Sequence, residues 1–228
     1  MNYEKEQAQA IIARRVAQEF EDGQTVNLGI GLPSLVSNYV PPGVEVTIFA
    51  ENGLTGMGEI VSGDRINENI TNAGGQPVAV LPHGAIFDTS LSFSLIRGGH
   101  IDITVLGTLQ ADQQGNLANW MIPGKKTPGI GGAMDLAAGS KKVIVATLHT
   151  ANGSPKILKE CTLPITAQKK VKMIVTEYAV MEVKNEQLVL TEINPSISLD
   201  ELKKITDAEL VISDNLKEME LEQELAAV

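Results

Sequence analysis

Apolar positions along the chain recur with two different periods. From about Glu4 to Phe20 they return every fourth residue at Ile12, Val16 and Phe20. Ile11 widens that stripe, Arg14 and Arg15 face away, and Asp22-Gly23 closes the segment, so an amphipathic helix is predicted. Elsewhere the pattern breaks into short runs of Val, Ile, Leu and Thr, at residues 25–28, 44–49, 78–81, 101–106, 141–148 and 171–176. Such runs read as buried strands. Residues 181–183 and 187–190, with Lys184-Asn185-Glu186 between them, predict a β-hairpin. Helices are expected over residues 33–39, over 91–96 up to Gly98-Gly99, from Ala133 onward and over 199–205. Residues 59–69 read as a polar loop, and residues 216–225 as an acidic peripheral helix or frayed end. There is no internal repeat and no low-complexity linker. Strands alternating with helices predict one α/β domain over residues 1–228, a single open, largely parallel sheet flanked by helices. Its core is expected over about 7–212, with an acidic tail over about 213–228.

Composition narrows the setting. Hydrophobic residues make up 43% of the 228, but aromatics only 4%, so the core must be built from Val, Ile, Leu and Ala, as in parallel sheets. A net charge of −10 argues against a nucleic-acid partner or an acidic membrane surface, while leaving room for a local basic patch. The single cysteine, Cys161, can form no internal disulfide, which points to a reducing cytoplasm. The charged start, Met1 to Glu6, does not read as a signal peptide, and no apolar run nears the ~20 residues of a membrane-spanning helix.

Candidate chemistry begins at Glu51. A strand ends there in a carboxylate and meets glycines at 53, 56 and 58, the place where open α/β sheets put their ligands. A Glu that merely caps a tight turn fits the same local pattern. Asn27-Leu28-Gly29-Ile30-Gly31 precedes a predicted helix, an arrangement that can cradle phosphate, but it lacks the third glycine and acidic residue of a dinucleotide fingerprint. His83, His100 and His149 have no ligand-like spacing with one another or with Cys161, so no metal site is expected. No Gly-x-Ser-x-Gly elbow is present, and Cys161, with only Lys159 as a basic neighbour, reads as a buried structural thiol. A second stretch places Trp120 beside Asn116 and Asn119, then Lys125-Lys126, then Gly129-Ile130-Gly131-Gly132 before Ala133. The lysines could meet a phosphate or be solvated; the glycine pair could aim N–H groups at an oxyanion or form a flexible turn.

Taken together these segments resemble the β subunit of the family I CoA-transferases, of the 3-oxoacid and acetate/acetoacetate type. The resemblance is carried by Asn27-Leu28-Gly29-Ile30-Gly31-Leu32-Pro33, Glu51-Asn52-Gly53-x-x-Gly56-x-Gly58, Ile96-Arg97-Gly98-Gly99-His100, Leu117-Ala118-Asn119-Trp120 and Gly129-Ile130-Gly131-Gly132-Ala133-Met134-Asp135. It runs in order from about residue 11 to 190. It implies that Glu51 is the nucleophile, passing through an acyl anhydride and a glutamyl-CoA thioester. Gly132 N–H would be an oxyanion donor, with Gly131 shaping its loop and a Gln of a partner subunit as second donor. Asn27, Gly29, Gly31, Asn52, Gly53 and Lys125 would lie on the CoA or substrate side. Coenzyme A is then a substrate rather than a resident cofactor, no metal is required, and the partner is an α subunit. Three departures bear on acyl and CoA contacts: Phe49-Ala50 where relatives have Gln-Ser, Glu59-Ile60-Val61-Ser62 where they carry a Pro-Tyr-Pro-like segment, and Gly75 where some have lysine. Alternatives are a short-chain fatty-acid (acetate/butyrate) CoA-transferase, a CoA-ester hydrolase and a non-catalytic CoA-binding module.

Overall fold

In the computed structural model, which describes residues 3–125 and 129–221, ten strands build one open sheet. In chain order they are β1 (Thr25–Leu28), β2 (Thr47–Ala50), β3 (Leu54–Ile60), β4 (Val78–Ile86), β5 (Ile103–Leu106), β6 (Lys142–Ala146), β7 (Val171–Val175), β8 (Ala179–Lys184), β9 (Gln187–Ile193) and β10 (Leu210–Glu218). Their spatial order is β10-β9-β8-β7-β6-β5-β1-β2-β3-β4. From β2 through β1, β5 and β6 to β7 all neighbours are parallel. Antiparallel strands extend both ends, β3 and β4 on one side, β8 and β9 on the other.

The central strands read as continuous apolar runs because both faces are covered. Alternate residues of β6 show it: Ile144 and Ala146 join one core cluster with Ile12, Val16 and Val105, while Val143 and Val145 join another with Leu106, Ile174 and Leu202. Helix α1 (Lys5–Ala17) lies on the first face, where Ile12 and Val16 are fully buried and Phe20 nearly so, as the period predicts. Helices α2 (Thr89–Arg97) and α3 (Ala133–Gly139) lie over a third cluster of Phe49, Ile96, Ile101 and Leu136, and α4 (Leu199–Lys204) packs Leu202 into the second. The strand order reverses at β1, so the chain leaves the C-terminal ends of β1 and β5 in opposite directions.

Four expectations are corrected. Arg15 does not face away: it is 8% exposed, held by Glu19 and by Glu192 of β9, each at 2.7 Å. The sheet reaches past the apolar stripe of α1 and covers its flank, which only paired charge tolerates. The run at 44–49 becomes strand only from Thr47, where pairing with Thr25 of the four-residue β1 begins. Of the glycines after Glu51, Gly53 sits in the expected turn, its N–H bonded to the Ala50 carbonyl at 3.1 Å, but Gly56 and Gly58 lie within a strand. Leu54–Ile60 pairs antiparallel with β4, and a Cβ on Gly53 or Gly56 would fall 2.0 Å from Phe87 O or 2.5 Å from Gly84 Cα. What approaches those glycines closely is the next strand. Finally, the acidic tail contributes β10, parallel to β9, and Met219 is buried in the first cluster, so the core extends past residue 212. The rest of that tail, residues 222–228, lies outside the described residues.

A smaller three-stranded sheet (Gln110–Asp112, Leu117–Ala118 and Ile157–Leu158) was not expected. Asn116 and Asn119 serve that region. Asn116 bonds Asp112 and the Lys169 N–H, and Asn119 bonds the Gly107 carbonyl and Thr166. Among the described residues no helix is long and apolar enough to cross a membrane.

Candidate active site

Glu51 follows the last residue of β2, so its backbone leaves the sheet at the C-terminal end of the parallel strands. Two neighbours fix it. Ser92 of α2, fully buried, donates its hydroxyl to the Glu51 carbonyl at 2.8 Å. Asn27 of β1 reaches it from the next strand. Its Nδ2 donates to the Phe49 carbonyl at 3.0 Å and lies 3.4 Å from Glu51 Oε2. Asn27 Oδ1 accepts in turn from the Thr104 hydroxyl of β5 at 2.9 Å. Asn27 and Thr104 are 1% and 0% exposed, whereas the Glu51 side chain is only half-buried. The arrangement is a carboxylate open to ligand on one side and held on the other by a dry hydrogen-bond chain.

Eighty-one positions further along the chain, Gly132 arrives against that carboxylate. A Cβ at Gly132 would sit 3.0 Å from Glu51 Cγ and 3.5 Å from Phe93 Cζ. A methyl group there would press the start of α3 and the stem of Glu51 apart by some tenths of an ångström. Arg97 of α2 and Asp135 of α3 pair at 2.7 Å and tie together the two helices that carry Ser92 and Gly132. The Gly132 N–H donates to no group among the described residues, and Gly131 before it has φ +56° and is exposed.

The family profile described as Coenzyme A transferase matches residues 9–204. The chain belongs to the coenzyme A transferase family. It is 52% identical over 217 residues, 95% of this chain and 97% of that one, to the acetate CoA-transferase subunit beta of Haemophilus influenzae. It is 44% identical to the human mitochondrial succinyl-CoA:3-ketoacid coenzyme A transferase 2, covering 95% of itself but 42% of that protein. Among solved structures it superposes on an acyl-CoA transferase from Escherichia coli O157:H7, in a thioester complex with CoA. There the TM-score is 0.71 at 25% identity, over 94% of this chain and 43% of that one. This transferase chain is therefore a subunit that spans under half the length of its longer relatives.

The remaining expected positions are not all gathered at Glu51. Gly29 and Gly31 line a small cavity of about 50 Å³ together with Ala50, Met57, Asn72, Gly74 and Gln76. Asn52 donates to the Thr71 carbonyl at 2.8 Å, pinning the segment leading to Asn72 beside the cavity. Gly53 is buried against the Phe87 carbonyl, so its lack of a side chain serves the packing of β3 on β4. The Phe49 ring is 2% exposed and stacks on Phe87, so that departure from the family pattern fills core. Lys125 is exposed on the loop before Gly129, and Lys126 lies outside the described residues. Trp120 is half-buried. Among the described residues no three His, Cys, Asp or Glu side chains are grouped to hold a metal ion. Cys161 is half-buried, and burial, with Asp112 nearby, pushes its thiol up to about 12, which makes it a poor nucleophile.

Sequence reasoning missed Ser92 and Thr104. Thr104 had one usable signal, a hydroxyl within an otherwise apolar buried strand, which must find a partner; Ser92, one of three serines in α2, had none.

Proposed function

We propose that this subunit transfers coenzyme A between an acyl-CoA and a short-chain carboxylate by covalent catalysis on Glu51. The carboxylate oxygen attacks the thioester carbonyl, the C–S bond breaks, and CoA leaves as thiolate from an acyl-glutamyl anhydride. The thiolate then attacks the glutamyl carbonyl, expelling the first carboxylate and leaving a glutamyl-CoA thioester. A second carboxylate runs both steps in reverse, so each intermediate is as activated as the one before it and no metal or resident cofactor is needed. The N–H of Gly132, which lies against the Glu51 stem and donates to no group among the described residues, is the donor offered to the oxyanion. The observation that carries this reading is the close approach of Gly132 to the stem of Glu51. A relative of the same fold crystallised as a thioester complex with CoA supports it.

The higher identity to an acetate CoA-transferase subunit than to the 3-ketoacid enzymes favours acetate as one carboxylate substrate, with a 3-oxoacid such as acetoacetate as the other. A partner α subunit completes the site. Ile30, Ile86 and Met134 are 70%, 64% and 51% exposed, and each lies within three residues of a site element, leaving apolar surface for that partner to cover. The lone cysteine fits a cytoplasmic setting.

The test is to trap the intermediate. The α–β complex incubated with acyl-CoA and then borohydride should carry a modified peptide containing Glu51, and Glu51→Gln should carry none. A label on any other residue, or transfer by this chain without a partner, would overturn the mechanism or the partnership respectively.

A further inference from the structure

β5 is an apolar strand with one hydroxyl, that of Thr104, lying fully buried between Ile103 and Val105. A buried hydroxyl is costly unless bonded, and this one has its partner in Asn27 Oδ1. The direction of that bond follows from the other end of the amide. The Phe49 carbonyl can only accept, so the Asn27 NH₂ must face it and with it the Glu51 carboxylate. Oδ1 is then left facing Thr104, whose hydroxyl must donate. A one-way chain runs from β5 through β1 to the residue after β2.

We propose that Thr104 is a positioning residue for the transfer reaction, acting through Asn27 to keep a donor turned toward the Glu51 carboxylate. The proposal rests on Glu51 being the nucleophile. Its physical reason lies in the cycle itself. While Glu51 is charged, its own field orients the Asn27 amide; once Glu51 is acylated or thioesterified, that field is gone. The Phe49 carbonyl and the Thr104 hydroxyl do not change with the state of Glu51, so between them they hold the amide through both intermediates. Without the Thr104 hydroxyl Asn27 Oδ1 is a buried acceptor with no partner, and the Phe49 carbonyl alone is left to orient the amide beside Glu51.

The experiment uses the complex with the partner subunit. Thr104→Val keeps the shape and removes the donor; it should lower kcat about ten-fold while the KM for acyl-CoA moves by less than about two-fold. Thr104→Ser should restore kcat to within about two-fold of wild type. In an Asn27→Ala background Thr104→Val should cost nothing further, because the chain is already cut. Thr104→Cys, similar in size with a weak donor, is measured beside these in case the valine variant does not fold, and its kcat should fall between those of the serine and valine variants. Wild-type kcat in Thr104→Val or Thr104→Cys, or an equal loss with and without Asn27, overturns the proposal. Glu51→Gln separates the two levels. Full activity there removes the nucleophile reading, whereas an inactive Glu51→Gln beside a normal Thr104→Val removes only the role of Thr104.

Discussion

A missing side chain at Gly132 is as functional as a present one at Glu51. Its φ of −83° is open to any residue, so alanine there meets no backbone strain. The added methyl would instead press on Glu51 Cγ from 3.0 Å, and either the carboxylate or the start of α3 must shift by some tenths of an ångström. Gly132→Ala should therefore lower kcat by about a hundred-fold, the cost of a small misplacement at a reacting centre. Its stability should stay within about 1 kcal/mol of wild type. Transfer kinetics alongside thermal unfolding check both halves, and a variant that unfolds early would show Gly132 to be a packing residue.

At the scale of elements, the fold is joined where helices meet the sheet through charge as well as through apolar area. Arg15 of α1 is the clearest case. Burial opposes its charge, yet the hydrogen bonds it donates to Glu192 and Glu19 hold its pKa above the ordinary arginine value. Burial likewise works against ionising Glu19, and Lys142 and Arg15 hold its pKa below the usual carboxylate range. Taking the arginine away leaves Glu192 partly buried with its partner gone. Arg15→Met is expected to cost about 3 kcal/mol, near the lower end for a broken buried pair. Urea unfolding at neutral pH measures it. A cost below about 1 kcal/mol would place this pair with ordinary surface ion pairs.

For the whole molecule, the informative group lies away from the site. His149 follows β6, is fully buried, and shares its ring nitrogens with the Thr176 and Thr206 hydroxyls at 2.9 and 2.8 Å. Burial lowers its pKa from 6.5 to about 4. Between those values the unfolded chain binds a proton that the folded chain does not, so stability falls as pH drops from 6.5 toward 4 and levels off below. The neighbouring Glu177, which accepts the His149 backbone N–H, has its pKa raised by burial and acts in the opposite sense above its ordinary value of 4.5. Comparing wild type with His149→Gln isolates the histidine. The wild type should lose up to about 1.4 kcal/mol per pH unit more than the variant across that window. Parallel stability curves between pH 6.5 and 4 would mean that the ring is already protonated in the native state.

Much of this was legible in the order of residues alone. Apolar runs with few aromatics specify a doubly covered parallel sheet, because only strands buried on both faces need no polar alternation. Glu51 was visible as a carboxylate at a strand end beside glycines, and its family motif needed no coordinates. Tertiary structure decided the rest. It showed that glycines 53 and 56 yield to a neighbouring strand, that Arg15 is enclosed, and that residues up to Met219 belong to the core. Above all it gathered Asn27, Thr104, Ser92 and Gly132 around one residue, Glu51, from four separate segments. Periodicity along a chain reports which face of an element is buried. It carries no record of which distant residue meets that face, since pairing across a sheet and the docking of a helix on it are set by the packing of the whole core.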